Sequence, residues 1–268
     1  LHPGLSRPAF DAMAATAREV GITFAGHVST GVGLARTLEA RQGSIDHLDG
    51  YLEASLPAEL QARIASGTAP VTLGEAIDAA SEAALPALAR RTREAGVWNV
   101  PTAYLWESFY GSETAEAKAA LPEMRYVSAQ QVAGWTNQKR GRDAQDGAQG
   151  LTPERRARYL AFRRATLKAL ADADAPLLMG TDSPQMFNVP GFALHREIAV
   201  MHAAGLTPYQ VLRSGTANVG RYVRESLGKD GAFGTVAPGQ RADLVLLDAD
   251  PLADLANLAR RAGVMVRG

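Results

Sequence analysis

The chain has 268 residues, of which 46% are hydrophobic and 21% are charged, the composition of an ordinary soluble globular protein. Lys+Arg and Asp+Glu number 28 each, so no basic field favours a nucleic acid or a membrane surface as partner. Cysteine is absent, which excludes disulfides and thiolate metal sites, and no apolar run is long enough to span a bilayer. The cellular compartment stays open.

The first fifty residues predict a compact βαβ unit. Apolar periodicity and turn residues predict two helices, at 6–20 and 30–40, and two strands, at 22–28 and 44–48. His27 and His47 stand at the ends of these strands. Because crossover connections place such strands parallel, and neighbouring strands lie about 4.8 Å apart, both imidazoles are expected close enough to share one metal ion. The alternative is that each histidine is a structural residue.

Two further helical segments, at 52–65 and 73–95, lead into a third strand at 97–102. Tyr104 and Trp106 follow on the predicted loop. They either line an apolar substrate pocket or pack under the next helix.

Residues 112–174 predict a helical insertion over one mouth of the sheet. Helical patterns at 114–133 and 153–173 flank a charged stretch, 137–150, that contains glycine and glutamine. The insertion is interpreted either as a lid or as a solvated helical hairpin with no role in turnover.

The stretch PLLMGTDSP at 176–184 predicts a buried strand that ends at a turn, with Asp182 left at its C-terminal tip. In folds built on parallel strands, ligands and metals are handled at this tip. The alternative is that Asp182 caps its own turn.

The rest of the chain predicts helices at 192–204 and 209–227, followed by a strand–turn–strand tail. His195 and His202 are seven residues apart and share a helix face. His195 lies near the helix start, where it could touch substrate, whereas His202 lies deeper and is interpreted as structural. Residues 234–236, a turn at 238–239 and residues 242–248 make this strand–turn–strand pattern, residues 264–266 predict a further strand, and together they indicate a small β appendage.

Two histidines and one aspartate at strand tips are the ligand types and number of a catalytic zinc site, which keeps a fourth position for water. The metal lowers the pKa of that water towards 7 and polarises a carbonyl. Asp182 could also carry the proton of the water to a leaving nitrogen. The chain has no phosphate loop, no GxSxG motif and no cysteine nucleophile that would compete with this reading.

A series of motifs resembles the second half of a metal-dependent amidohydrolase, in the imidazolonepropionase and Xaa-Pro dipeptidase-like branch. The motifs are AGHV at 25–28, IDHLDG at 45–50, VPT at 100–102, MGTDSP at 179–184, LHREI at 194–198, AGLTPYQVLRSGTANVGRY at 204–222 and GTVAPGQRADLVLLDADPL at 234–252.

The resemblance implies an α/β fold: the second half of a (β/α)8 TIM-type barrel, strands 5–8, with a small C-terminal β-sandwich segment. Residues 1–228 would form the partial barrel, including the insertion at about 112–174, and residues 229–268 would belong to the β-sandwich. It implies that His27 and His47 are metal ligands, and that Asp182 binds metal and shuttles the proton. Tyr104 and His195 would lie on substrate-facing loops.

Two family features are missing. There is no HxH pair, and the four lysines all fall in predicted helices or loops. The chain is therefore expected to be a C-terminal portion, completed by a missing N-terminal half or by a homo-oligomer. The expected cofactor is a divalent metal, zinc first, with one or two ions left open.

The expected function is metal-dependent hydrolysis of amide or other C–N bonds in small-molecule, peptide-like or cyclic amide substrates. One alternative is an incomplete, non-catalytic fragment or subunit that needs an N-terminal half carrying HxH. A second alternative is a metal-free α/β binding domain.

Overall fold

The computed structural model describes residues 1–67 and 69–268. The α-helices within these ranges are α1 Arg7–Glu19, α2 Gly33–Glu39, α3 Tyr51–Ala54, α4 Ala58–Ser66, α5 Leu73–Ala79, α6 Leu85–Ala95, α7 Ala103–Tyr110, α8 Ala115–Ala119, α9 Ala129–Ala148, α10 Pro153–Asp172, α11 Phe192–Ala203, α12 Pro208–Gly215 and α13 Ala217–Glu225. The strands are β1 Ser44–Asp46, β2 Trp98–Val100, β3 Leu244–Leu247 and β4 Arg261–Met265. None of the helices in these two ranges has the length and apolar character that a bilayer crossing requires.

Four parallel segments lie side by side in chain order. β1 pairs with β2 in parallel, with Ile45 opposite Asn99. Gly26 forms a parallel bridge to Ile45 on one side, and Leu177 forms a parallel bridge to Asn99 on the other. The two outer segments, predicted as strands at 22–28 and 176–179, are therefore held by single bridges. The α/β alternation expected for the first half of the chain is present, and all four carboxyl ends point the same way.

Close approach of the last segment to β2 depends on a glycine. A Cβ at Gly180 would collide with Cγ1 of Val100, so a larger residue would push the two strand ends apart. The lack of a side chain at Gly180 therefore lets the chain pass close to the end of β2 just before Thr181 and Asp182.

Several predicted helices are divided in the structure. The segment predicted at 52–65 breaks into α3 and α4 at Pro57, which is the N-cap of α4. The segment predicted at 73–95 breaks after Ala79, where an extended Ala80 ends α5. The segment predicted as a loop after β2 is instead α7, so Tyr104 and Trp106 are helical residues. The stretch 137–150 is helical through Ala148 rather than a linker.

The helix α10 differs from the expectation of a lid or solvated hairpin. It packs against α6 and α7, and Tyr159, Leu160, Phe162, Leu167 and Leu170 belong to the main hydrophobic core. Its buried residues share this core with residues of the parallel segments, as those of a helix in an α/β layer do. The α8–α9 pair packs on a separate, smaller cluster that contains Trp135 and Phe187.

The tail forms one antiparallel pair, β3 and β4. β3 lies within the strand predicted at 242–248 and β4 overlaps the one predicted at 264–266, whereas residues 234–236 do not form a strand. The apolar residues Val245, Leu246 and Val264 of this pair are 56%, 66% and 66% exposed, so these side chains contribute little to the core.

A substitution in α10 tests whether this helix is part of the core. Leu170 is fully buried, and Leu170→Ala is expected to lower the free energy of unfolding by about 2–5 kcal/mol through lost burial and a cavity. Urea unfolding followed by far-UV circular dichroism measures the change. The control is Leu194→Ala on α11, a leucine that is 43% exposed, which should change stability by less than about 1 kcal/mol. A Leu170→Ala protein as stable as the control would contradict the core assignment.

Candidate active site

The three residues predicted as metal ligands lie together at the carboxyl ends of the parallel segments. The ring centroids of His27 and His47 are 4.6 Å apart. Nε2 of His47 lies 3.8 Å from Oδ2 of Asp182. The parallel pairing explains this geometry, because side chains that follow neighbouring strands emerge at the same edge of a sheet.

The chain leaves three of these strand ends through left-handed backbone. The φ angles of His47, Thr102 and Asp182 are 59°, 44° and 52°, a region that non-glycine residues rarely adopt. Local hydrogen bonds hold these turns: the N–H of His47 donates to the carbonyl of Val100 over 2.8 Å, and the side-chain amide of Gln185 donates to the Asp182 carboxylate. Strained backbone of this kind concentrates at functional sites.

Both imidazoles are oriented through the same ring nitrogen. Nδ1 of His27 lies 2.7 Å from Oδ2 of Asp49, and Nδ1 of His47 lies 2.6 Å from Oγ1 of Thr102. In each ring Nε2 is then the nitrogen left for a ligand. Metal-binding histidines commonly have such a partner on their other nitrogen, because it fixes the ring and its tautomer.

Burial lowers the pKa of His47 below its usual value, and the neighbouring His27 acts in the same direction. The carboxylates of Asp49 and Asp182 oppose this effect without cancelling it. A lowered pKa keeps the imidazole neutral near pH 7, which is the form that accepts a metal or a proton.

The buried Arg163, from α10, forms the floor beneath His47. Its Nη2 donates to the His47 carbonyl over 2.6 Å, and its guanidinium carbon lies 4.1 Å from the ring centroid of Trp106. The guanidinium therefore holds the left-handed turn of His47 in place while it stacks on an aromatic face.

A second buried charge, Glu197 of α11, lies at the start of α7. Its Oε1 accepts from the N–H of Ala103 over 2.8 Å and its Oε2 accepts from the N–H of Tyr104 over 2.7 Å. Burial raises the pKa of Glu197 to about 7, although both backbone hydrogen bonds act to lower it.

The two residues predicted on substrate-facing loops lie elsewhere. Tyr104 is buried in α7, with Lys118 and Arg196 positioned over its ring at 5.6 and 5.5 Å. His195 is exposed on α11, and its Nε2 lies 3.4 Å from Nη1 of Arg261 in the tail. The structure gives His195 no hydrogen bond or ring contact with the predicted ligands, within the ranges it describes.

Four residues of the site were not identified from the sequence. Asp49, Thr102 and Glu197 fall within the family-like motifs at 45–50, 100–102 and 194–198, but the motifs alone did not indicate what these residues do. No sequence pattern singled out Arg163, since it is one of several arginines on α10.

The fit of a metal to these residues is partial. Two imidazole nitrogens and a carboxylate are suitable donors for zinc, and both rings have supporting partners on Nδ1. However, no group of three or more His, Asp or Glu side chains within 1–67 and 69–268 is arranged to hold a metal ion. The described residues therefore supply donors without forming a complete ligand shell.

All of residues 1–268 match the model of the Amidohydrolase family. The chain belongs to this family. The family resemblance of its motifs is thus confirmed, and the family name denotes hydrolysis of amide bonds. Comparison with curated proteins gave no match.

Solved structures show the same relationship. A bottromycin amidohydrolase is 28% identical with a TM-score of 0.64, and the match covers 99% of this chain and 53% of that one. A Xaa-Pro dipeptidase with bound methionine in its active site is 17% identical with a TM-score of 0.55, covering 98% of this chain and 48% of that one. An ochratoxinase from A. niger is 14% identical with a TM-score of 0.56, covering 98% and 44%. The amidohydrolase chain thus spans about half the length of these structures.

The raised pKa of Glu197 predicts a pH-dependent contribution to stability. Between pH 4.5 and about 7 the folded protein holds a proton that the unfolded chain has lost, so the free energy of unfolding falls as pH rises through this range. Relative to Glu197→Gln, which cannot titrate, the wild type should lose on the order of 3 kcal/mol between pH 4.5 and 8. Urea unfolding at a series of pH values measures this difference.

The matched control is Glu123→Gln, which changes another buried carboxylate, one paired with Arg196. A wild-type and Glu197→Gln pair whose stabilities run parallel from pH 4.5 to 8 would show that Glu197 does not titrate in this range.

Proposed function

We propose that this chain forms the C-terminal half of the catalytic unit of a metal-dependent amidohydrolase that cleaves amide or other C–N bonds. In barrel terms, its four parallel segments would be strands 5–8, and the tail would belong to a β-sandwich. The observation that carries the proposal is the meeting of His27, His47 and Asp182 at the carboxyl ends of neighbouring parallel segments.

Asp182 is proposed as the proton carrier. Its side chain is 41% exposed and lies beside His47, so its carboxylate can reach a water molecule and a substrate at the sheet edge. The carboxylate takes a proton from the water as the oxygen attacks the amide carbonyl, and then delivers that proton to the leaving nitrogen. The C–N bond breaks, and a carboxylic acid and an amine result.

His27 and His47 are proposed as metal ligands through Nε2. Their Nδ1 contacts with Asp49 and Thr102 support this role, because they orient the rings before any metal arrives. A divalent metal, zinc by its preference for these donors, would lower the pKa of water and polarise the carbonyl. Further ligands would have to come from residues beyond those described, and the number of ions stays open.

The substrate class is proposed from the printed names of the similar structures. These include a bottromycin amidohydrolase, a Xaa-Pro dipeptidase and a prolidase complexed with N-methylphosphonate-L-proline. A peptide-like or cyclic amide is therefore the proposed substrate. Tyr104 and His195 are proposed as substrate contacts on the strength of the family resemblance alone; Tyr104 is buried in α7 and His195 is exposed on α11.

A second candidate is that the 268-residue chain alone is a non-catalytic portion that requires an N-terminal half or another subunit. Two observations favour it: the chain spans 53% and 48% of the bottromycin amidohydrolase and dipeptidase structures, and the described residues lack a three-ligand group.

Replacing Asp182 tests the proposed mechanism. In the full-length product of the gene, Asp182→Asn should lower kcat on Xaa-Pro dipeptides or N-acyl amino acids by about 100- to 10,000-fold, because the amide cannot accept the proton. The control is Asp174→Asn, since Asp174 also has left-handed backbone, at φ 51°, but an exposed side chain paired with Arg213. Undiminished turnover in Asp182→Asn would eliminate this role.

Metal content tests whether residues 1–268 need a second portion of the molecule to hold zinc. Purified residues 1–268 should bind less than one equivalent of zinc, because they lack a complete ligand group, whereas the full-length product should retain zinc and lose it in His47→Ala. Metal analysis by mass spectrometry after gel filtration measures both. A folded, zinc-loaded and active monomer of residues 1–268 would exclude the second candidate.

A further inference from the structure

At the start of α7, the side chains of Thr102 and Glu197 form different hydrogen bonds. Thr102 occupies the N-cap position of α7, where a threonine hydroxyl ordinarily accepts from the backbone N–H groups of its own helix. Thr72, Thr114, Thr152 and Thr207 do this at the starts of α5, α8, α10 and α12. Thr102 does not, and its hydroxyl lies against Nδ1 of His47 instead.

Glu197, on α11, accepts hydrogen bonds from the start of α7. Its two carboxylate oxygens each accept one of the first two N–H groups of α7, and the side chain is completely buried. A carboxylate is the strongest acceptor available for this position, since it also interacts favourably with the N-terminal end of the helix dipole. Glu197, 95 positions later in the chain, thus binds the N–H groups of the two residues that directly follow Thr102.

We infer that Glu197 is a positioning residue for His47: by binding the first two N–H groups of α7, it fixes the turn from which the Thr102 hydroxyl holds the His47 imidazole. The relay runs from the Glu197 carboxylate to the first turn of α7, then to Oγ1 of Thr102 and to Nδ1 of His47. Its importance for catalysis rests on the proposed function, whereas the orientation of the His47 ring does not.

The surroundings of Glu197 favour such a role over a purely structural one. Arg163, on α10, is the cation whose charge acts on Glu197, and the same guanidinium donates to the His47 carbonyl. The backbone of His47 and the segment that carries the hydroxyl beside its ring are therefore bound by two buried polar side chains, Arg163 and Glu197.

The experiment reads the His47 ring directly. The full-length gene product is labelled with ¹⁵N-histidine and stripped of metal, and the His47 signals are assigned as those that His47→Asn removes. Spectra at pH 8 then report the tautomer and hydrogen bonding of the ring nitrogens. Thr102→Val should move the Nδ1 signal, Thr102→Ser should leave it near the wild-type position, and Glu197→Gln should move it in the same direction as Thr102→Val.

The double variant isolates the relay. If Glu197 acts on His47 through Thr102, adding Glu197→Gln to Thr102→Val produces no further shift, because the connecting hydroxyl is already gone. Full additivity of the two shifts, or an unmoved Nδ1 signal in Glu197→Gln, would overturn the inference. Glu123→Gln, a buried carboxylate paired with Arg196 rather than with α7, should leave the signal unmoved.

Glu197→Asp covers the case in which the glutamine variant fails to fold. The shorter carboxylate keeps the charge but cannot reach both N–H groups, so a shift smaller than that of Thr102→Val is expected, and no shift would count against the relay. Because the readout requires neither metal nor turnover, failure of the relay leaves the proposed hydrolase untouched. Equally, a protein with no hydrolase activity can still show the relay.

Discussion

The parallel pairing of β1 with β2 is the constraint on which the candidate site depends. Its register places Asp46 opposite Val100, so both strands end at the same edge of the sheet. His47, one residue past Asp46, then contacts Thr102, two residues past Val100. A shift of one residue in this pairing would turn every side chain to the opposite face. Gly26 and Leu177 extend the same register outward and bring His27 and Asp182 to the shared edge.

Two helices, α10 and α11, then hold the backbone around the residues that the strands bring together. Arg163 of α10 and Glu197 of α11 are both buried. Arg163 donates to the carbonyl of His47, after β1, and Glu197 accepts from the backbone N–H of Ala103, after β2. Buried charges are costly unless they are paired in this way. The helices therefore serve both as the apolar cover of the sheet and as the support of the site, which explains why α10 lies in the core rather than over the mouth of the sheet.

The site combines strong local order with an incomplete set of ligands. Each imidazole has a partner on Nδ1, and three strand ends are held in left-handed backbone, which a protein maintains only where the surrounding structure compensates for the strain. Yet the described residues form no three-ligand group. The chain spans about half of the amidohydrolase structures to which it is similar.

The sequence by itself determined the positions of the strand ends and therefore His27, His47 and Asp182, because a short apolar run followed by a turn is a local pattern. It also determined the family, through motifs, and the strand within 242–248, whereas the pairing of β3 with β4 came only with the structure. Only the tertiary structure decided that Thr102 turns to His47, that Arg163 supports it and that Glu197 caps α7. These contacts join residues 55, 116 and 94 positions apart, and no local periodicity encodes them. The same reason applies to α7, which the sequence predicted as a loop, and to α10, whose helical pattern did not show that it packs in the core against α6 and α7.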